Sequence, residues 1–361
     1  METTLKQRTN AYWEALVDKL REQRNLEDAE FAELIDAPEA SSVNELLAQA
    51  ADEVRRQAYG REVYVRGLIE FTNYCHNNCY YCGIRAGNTR VIRYRLSKEE
   101  ILSCCQAGYE LGFRTFVLQG GEDPYFTDER ICDLVESIRG AFPECAITLS
   151  IGEKDFAAYK AYKAAGADRY LLRHETAGAE HYGRLHPATM SLENRKRCLR
   201  DLKALGYQVG AGFMVGSPHQ SVTDLISDLR FLQELQPAMI GIGPFIHHPD
   251  TPFAEFPDGS LCLTLRLLSL LRLCFPYALL PATTALASLA PRGRELGLQA
   301  GANVLMPNLS PALARQQYQL YSHKAHTGLE NASGLKELAA TVAKLGYQVV
   351  VDRGDAKHGQ G

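Results

Sequence analysis

Beyond residue 60 the chain repeats one unit: a short β-rich apolar run followed by a segment of helical periodicity. The runs are 63–71, 115–119, 146–150, 169–173, 208–215, 239–245, 278–282 and 303–306, eight in all. Segments 97–111, 128–142, 191–205 and 222–235 between them have helical spacing. Gly112, Gly166, Gly206 and Gly301 close several of these units, as expected of the residue that accepts a left-handed helix end. Strand–helix alternation implies a parallel sheet. Eight units in about 250 residues predict an α/β fold, a (β/α)8 TIM barrel. An open doubly wound sheet would want a glycine fingerprint after its first strand. Here a cysteine loop takes that place.

The barrel is expected to span 60–321, with an N-terminal helical extension over 1–59. Trp13, Leu16, Val17 and Leu20 form a helical stripe. A second helix follows over 26–35 with Asn25 as its cap, and a third over 42–57 capped by Ser42. Residues 322–361 read as a C-terminal helix, a short extended segment and a flexible tail, since 354–361, GDAKHGQG, is polar and glycine-rich.

A net charge of −4 without any Lys/Arg run excludes a nucleic-acid surface. The leucine-rich stretch 261–280 resembles a membrane span, but Arg266 and Arg272 would each cost about 2.5–3.5 kcal/mol at a bilayer centre. A packed helix with snorkelling arginines is the expectation, and no membrane partner. The first ten residues lack an apolar core or a cleavage site. Ten cysteines without a secretory signal imply a reducing compartment, hence a cytoplasmic protein. Seven of them (Cys104, Cys105, Cys132, Cys145, Cys198, Cys262, Cys274) read as small buried hydrophobes.

A barrel enzyme carries its chemistry just after its strands. Those positions are polar here: 73–82, Gln119 to Asp123, Gly152-Glu153, His174-Glu175-Thr176, Gly216-Ser217-Pro218, His247-His248, Thr283-Thr284 and Asn308. His247 and His248 are adjacent on an extended segment and point oppositely, so no metal is assigned to them.

After the first strand, Cys75, Cys79 and Cys82 form a C-x3-C-x2-C array. Soft thiolates select zinc, copper(I) or iron–sulfur clusters. A structural zinc site wants four ligands, and His76 lies too close to Cys75 to reach as the fourth. A 4Fe-4S cluster normally takes four cysteines. With three, one iron stays open to chelate a small molecule through its amine and carboxylate.

The array, with Tyr81 before its last cysteine, resembles the radical S-adenosylmethionine (SAM) signature. Gln119-Gly120-Gly121-Glu122-Asp123-Pro124 is similar to the superfamily's GGE-type loop, and 209–220, VGAGFMVGSPHQ, to its fifth-strand glycine motif. TNYCHNNCYYCGIR, LQGGEDPY, ADRYLLRHETA, GIGPFIHHPDTP, PATTA, GANVLMPN and QLY, over roughly 60–321, resemble the HydE family of [FeFe]-hydrogenase maturation enzymes. That resemblance implies cleavage of SAM to methionine and a 5′-deoxyadenosyl radical. The radical acts on an iron–cysteine complex carrying carbon monoxide and cyanide, supplied by HydG, during assembly of the hydrogenase di-iron subsite. HydF and HydG are the implied partners, with ferredoxin or flavodoxin as electron donor. Cys75, Cys79 and Cys82 would be the catalytic metal ligands. Tyr81, Gly120, Gly121, Glu122, Arg173, Glu175, Arg195 and Met214 would bind SAM, with Glu175 at its ribose or amine and Arg195 at its carboxylate. Gln119, Thr148, Thr283, Thr284 and Tyr318 would face the substrate.

Many HydE-like chains carry a second cysteine trio near the C-terminus. Here no cysteine follows Cys274, and 321–335 reads YSHKAHTGLENASGL, so one cluster is expected and no second. Gln119-Gly-Gly also stands where Gln-Ser-Gly is more usual. Two alternatives share the same features: a radical SAM amino-acid mutase of the methylornithine synthase (PylB) type, and a non-enzymatic iron–sulfur or zinc scaffold. Formation of 5′-deoxyadenosine from SAM under dithionite excludes the scaffold. Maturation of apo-hydrogenase separates the maturase from the mutase.

Overall fold

A computed structural model describes residues 8–324 and 332–357. The strands are β1 (Glu62–Val65), β2 (Gly67–Thr72), β3 (Thr115–Gly120), β4 (Ala146–Ser150), β5 (Arg169–Leu171), β6 (Gln208–Ala211), β7 (Met214–Val215), β8 (Met239–Ile240), β9 (Gly243–Pro244), β10 (Val304–Leu305) and β11 (Gln348–Val350). All named pairings are parallel. Six strands run β2-β3-β4-β5-β6-β8. Bridges Met239↔Leu279 and Pro281↔Val304 carry the ring through 278–282, and β10 returns to β1 through Tyr64↔Val304 and Val65↔Leu305. The sheet is therefore a closed parallel barrel, the expected (β/α)8 plan.

Three expected strands are bent. The first breaks at Arg66 into β1 and β2. The fifth and sixth each break at a glycine, Gly212 and Gly241. A Cβ on Gly212 would sit 1.9 Å from the Gly241 carbonyl oxygen, and its φ is +149°, so the two strands kink side by side where only glycine fits. The kink turns β7 and β9 toward the C-terminal mouth.

The N-terminal helices span Asn10–Gln23, Asp28–Ile35 and Val43–Tyr59. The second is capped by Glu27 through a reciprocal box with Glu30, not by Asn25. One hydrophobic core runs from Trp13 to Tyr347, and the extension joins it by packing on the helices Val222–Leu235 and Leu261–Cys274 outside the barrel. No helix among the described residues is long and apolar enough to cross a membrane. The helix Leu261–Cys274 packs as expected, but its arginines do not snorkel. Arg272 is fully buried and donates to the carbonyls of Gly301, Pro276 and Ala278, while Arg266 caps those of Ile35 and Ala37. They satisfy orphan backbone acceptors, which water would otherwise have to reach.

The C-terminal segment holds the expected helix, Leu335–Lys344, and the expected extended segment, β11, which pairs with β1 and so joins the barrel's sheet. The tail was expected to be flexible from Gly354. Instead, 352–357 lies across the N-terminal mouth: Arg66 donates to the Gly354 carbonyl, and Asp355 accepts from Arg169 (2.6 Å) and Gln208 (2.7 Å). Residues 358–361 lie outside the described residues.

Burial alone would raise the Asp355 carboxyl, but Arg169, Gln208 and Arg353 hold it down to about 2. A depressed carboxylate stabilises the fold above its unfolded value and loses that contribution as pH falls through the folded one. Asp355→Asn is therefore expected to lower the melting temperature at pH 7 by roughly 1–3 °C, a modest effect because the group is part-exposed. The gap from wild type should close between about pH 4 and pH 2. Melting curves across that range check both parts.

Candidate active site

The C-terminal mouth opens into a cavity of about 350 Å³. The loop after β2 lies over it. Asn73 starts that loop, its side chain donating to the Ile92 and Gln317 carbonyls and accepting from Tyr94 N–H. The Arg93 guanidinium then staples the loop by donating to the carbonyls of Asn73, Ile84, Arg85 and Asn88. Gly83 N–H donates to the Leu320 carbonyl (2.8 Å), closing the loop against the chain's last barrel turn. Gly121 lies against it so closely that a Cβ would sit 2.2 Å from the Tyr74 carbonyl oxygen.

Cys75, Cys79 and Cys82 are unpaired thiols on this loop, and Cys82 lines the cavity. Burial, reinforced by the other thiols, pushes Cys79 up to about 12 and raises Cys82 further; burial also raises Cys75. Among the described residues no three His, Cys, Asp or Glu side chains converge as one shared metal ion would require. A single zinc would draw every sulfur to about 2.3 Å. His76 Nε2 lies 3.4 Å from Glu122 Oε2.

Gly120 lines the cavity, while Gly121 and Glu122 sit behind it, the Glu122 carbonyl accepting His76 N–H. Burial raises the Glu122 carboxyl, with Arg195 opposing. Arg195 stands on the helix Leu192–Ala204, capped by Ser191, and is 7% exposed, so it is no surface residue. Its Nε lies 2.6 Å from Glu153 Oε1, and its Nη1 donates to the Arg173 carbonyl. Burial works against its charge, yet Glu153 and other neighbours raise its pKa. Arg173 Nη2 lies 2.9 Å from Glu175 Oε2. Tyr81 meets His186 Nε2 through its hydroxyl (3.2 Å). Met214 packs with Tyr81, Phe245 and Phe253 into an apolar pad.

Gln119 approaches the Tyr318 hydroxyl (3.5 Å), and both line the cavity with Thr283 and Thr284. Thr148 does not. It shares interior parity with Ser150, which does reach the cavity, but lies one layer deeper beside Arg66 and Arg169. His247 pairs outward with Asp258, while His248 turns inward against Gly83, the opposite orientations expected of neighbours.

Glu153, one of the rim polar positions, pairs with Arg195, which its sequence neighbourhood does not reveal. Three further charged groups at the cavity were not anticipated. Glu70 and Lys324 form a buried ion pair on the cavity wall, and Arg294 lines it. Glu70 had a signal: a charge at interior parity in an apolar run. Lys324 had none, because its partner lies 254 residues away in the sequence.

Residues 69–232 match the radical SAM superfamily. The [FeFe] hydrogenase maturase subunit HydE of Thermotoga maritima is 50% identical over 281 residues, 78% of this chain and 80% of that one. The chain belongs to the HydE family. A 3-methylornithine synthase of Methanosarcina barkeri is 32% identical over 301 residues, 83% of this chain and 84% of that one. The crystal structure of methylornithine synthase (PylB) superposes with a TM-score of 0.81 at 29% identity, covering 93% of this chain and 97% of that one. As a HydE-family member the protein is a radical SAM enzyme, which implies a 4Fe-4S cluster and SAM.

The site's residues fit those groups. Arg173 Nε and Thr283 Oγ1 are buried without a hydrogen-bond partner among the described residues, and both residues line the cavity with Glu175 and Arg195. Buried polar atoms are nearly always satisfied. Two exceptions beside charges of both signs are what a zwitterionic ligand would complete. The three thiols of the loop over the cavity are the soft donors that an iron–sulfur cluster takes.

Proposed function

We propose that Cys75, Cys79 and Cys82 hold a single 4Fe-4S cluster and that the remaining cavity divides between SAM and the substrate. Support comes from one observation: the cysteine loop, the half-buried Arg173–Glu175 pair, the buried Arg195 and a hydroxyl-lined wall converge on one cavity. When bound, the cluster and SAM supply one-electron reductive cleavage of the sulfonium.

The chain's own residues bind and orient. Arg195 offers a planar fork to a carboxylate. Glu175 accepts from hydroxyl or ammonium donors through charge-assisted hydrogen bonds. Tyr81 and Met214 supply an apolar contact for a flat ring, and Gly120 leaves its backbone exposed to an amine. Tyr318, Gln119, Thr283 and Thr284 face the remaining space, where hydroxyls and amides can orient an anionic complex. The enclosed lumen excludes water from reactive species.

The substrate in this reading is an iron–cysteine complex carrying carbon monoxide and cyanide, delivered by HydG, with HydF downstream. Its support is the 50% identity to the Thermotoga HydE, against 32% to the methylornithine synthase. Purified enzyme given HydG product is expected to support maturation of apo-hydrogenase. Failure there, with turnover of a free amino acid instead, would move the assignment to the mutase class.

Glu175→Gln is expected to weaken SAM binding by about tenfold, the loss of one charge-assisted hydrogen bond, while iron and sulfide content stay at wild-type levels. Calorimetric titration of the reconstituted variant with SAM checks it. Normal SAM affinity would remove Glu175 from the binding set.

A further inference from the structure

Glu175 is the one non-glycine residue lining the cavity with a left-handed backbone among the described residues, its φ being +66°. Such a conformation is strained for a residue with a side chain and persists only where its surroundings over-determine it. The backbone supplies part of the restraint. Glu175 N–H donates to the Gly212 carbonyl (3.1 Å), and its own carbonyl accepts Met214 N–H (3.1 Å).

The rest comes from a pair that neither lines the cavity nor carries a role above. His174 and Asp228 are both fully buried. His174 Nδ1 lies 3.4 Å from Gly212 N, and its Nε2 lies 3.2 Å from Asp228 Oδ1. A ring nitrogen facing a backbone N–H must accept, so the proton sits on Nε2 and is donated to Asp228. The same carboxyl oxygen accepts Ala177 N–H (2.5 Å). One side chain on the helix Val222–Leu235 thus holds the chain on both sides of Glu175-Thr176. Phe213 and Phe231 pack against the imidazole and fix its plane.

We propose that His174 and Asp228 form a buried brace that keeps Glu175 in its left-handed conformation and so aims its carboxylate into the cavity. They are positioning residues, and the proposal rests on the reading of Glu175 as a SAM contact.

The test uses cluster-reconstituted protein, SAM titration calorimetry and thermal melting. Asp228→Leu is expected to weaken SAM binding by about tenfold through misalignment of the carboxylate. Asp228→Asn keeps an acceptor at the same place and should stay within about twofold. In a Glu175→Gln background, Asp228→Leu should add no further loss, because the aimed charge is already gone. The inference is overturned if Asp228→Leu binds SAM as tightly as wild type, or loses as much affinity in the Glu175→Gln background as alone. Where Asp228→Leu does not accumulate, His174→Asn takes its place with the same expectations.

A second cycle is independent of SAM. Glycine adopts a positive φ without strain. Asp228→Leu should therefore lower the melting temperature less in a Glu175→Gly background than in wild type, and equal losses would overturn the brace. If Glu175→Gln alone leaves SAM affinity unchanged, the reading of Glu175 fails, while this melting cycle still reports on the brace.

Discussion

Cys79→Ser is expected to abolish SAM cleavage while the barrel stays folded. A serine oxygen is a hard donor and a poor match for iron in a sulfide cluster. Losing a direct ligand should exceed the 10–100-fold effect typical of losing an outer partner, so the rate should fall by more than about 100-fold. Stability should hardly move. Cys79 lies in the loop over the mouth, touching Met190 Sδ at 3.7 Å, and takes no part in the hydrophobic core. With its thiol pushed up to about 12, the metal-free protein carries a neutral group there at pH 7, and serine is also neutral. Anaerobic reconstitution should give a lowered iron content and no 5′-deoxyadenosine under dithionite and SAM. Melting of the metal-free protein should lie within about 2 °C of wild type. A variant that cleaves SAM at more than about a tenth of the wild-type rate would sink the ligand assignment.

Arg195→Leu is expected to be costly in two separable ways. Removing one member of this largely buried ion pair leaves the other, Glu153, with Asn194 as its remaining partner, at a cost of about 2–4 kcal/mol. For a chain of this size that lowers melting by roughly 3–5 °C. It also removes the fork assigned to the SAM carboxylate, for an expected loss of about 100-fold in affinity. The double variant Arg195→Leu, Glu153→Leu separates the effects. Replacing a buried pair by apolar side chains is often neutral, so most of the stability should return while SAM affinity stays low. Calorimetric titration and melting of the same samples check this. Recovery of SAM binding in the double variant would leave Arg195 with a purely structural role.

The strand series was legible because period-two apolar runs and glycine-closed helices are local signals. Gly112, Gly166, Gly206 and Gly301 all have positive φ, as their positions suggested. The cysteine loop was legible for the same reason, its three thiols lying within eight residues. What stayed hidden depends on pairs distant in sequence. Glu153 reads as one more rim polar group until the helix Leu192–Ala204 brings Arg195 against it. Arg266 and Arg272 look like surface-seeking charges, because nothing local reveals the orphan carbonyls they satisfy. Thr148 has the right parity and the wrong depth, and a period of two fixes only the first. Gly354 and Asp355 sit in a polar, glycine-rich tail, yet buried Arg66 and Arg169 supply acceptor-seeking groups that order them.

The placement of β1 between β10 and β11 has a consequence for biogenesis. A ribosome releases β1 long before either of its sheet neighbours, Val304–Leu305 and Gln348–Val350. Throughout elongation the nascent chain therefore displays an unpaired strand edge, a template for association with other chains. Such long-range closure makes folding slow. Heterologous production should accordingly respond to chaperone supply and slower translation more than to changes inside the catalytic mouth.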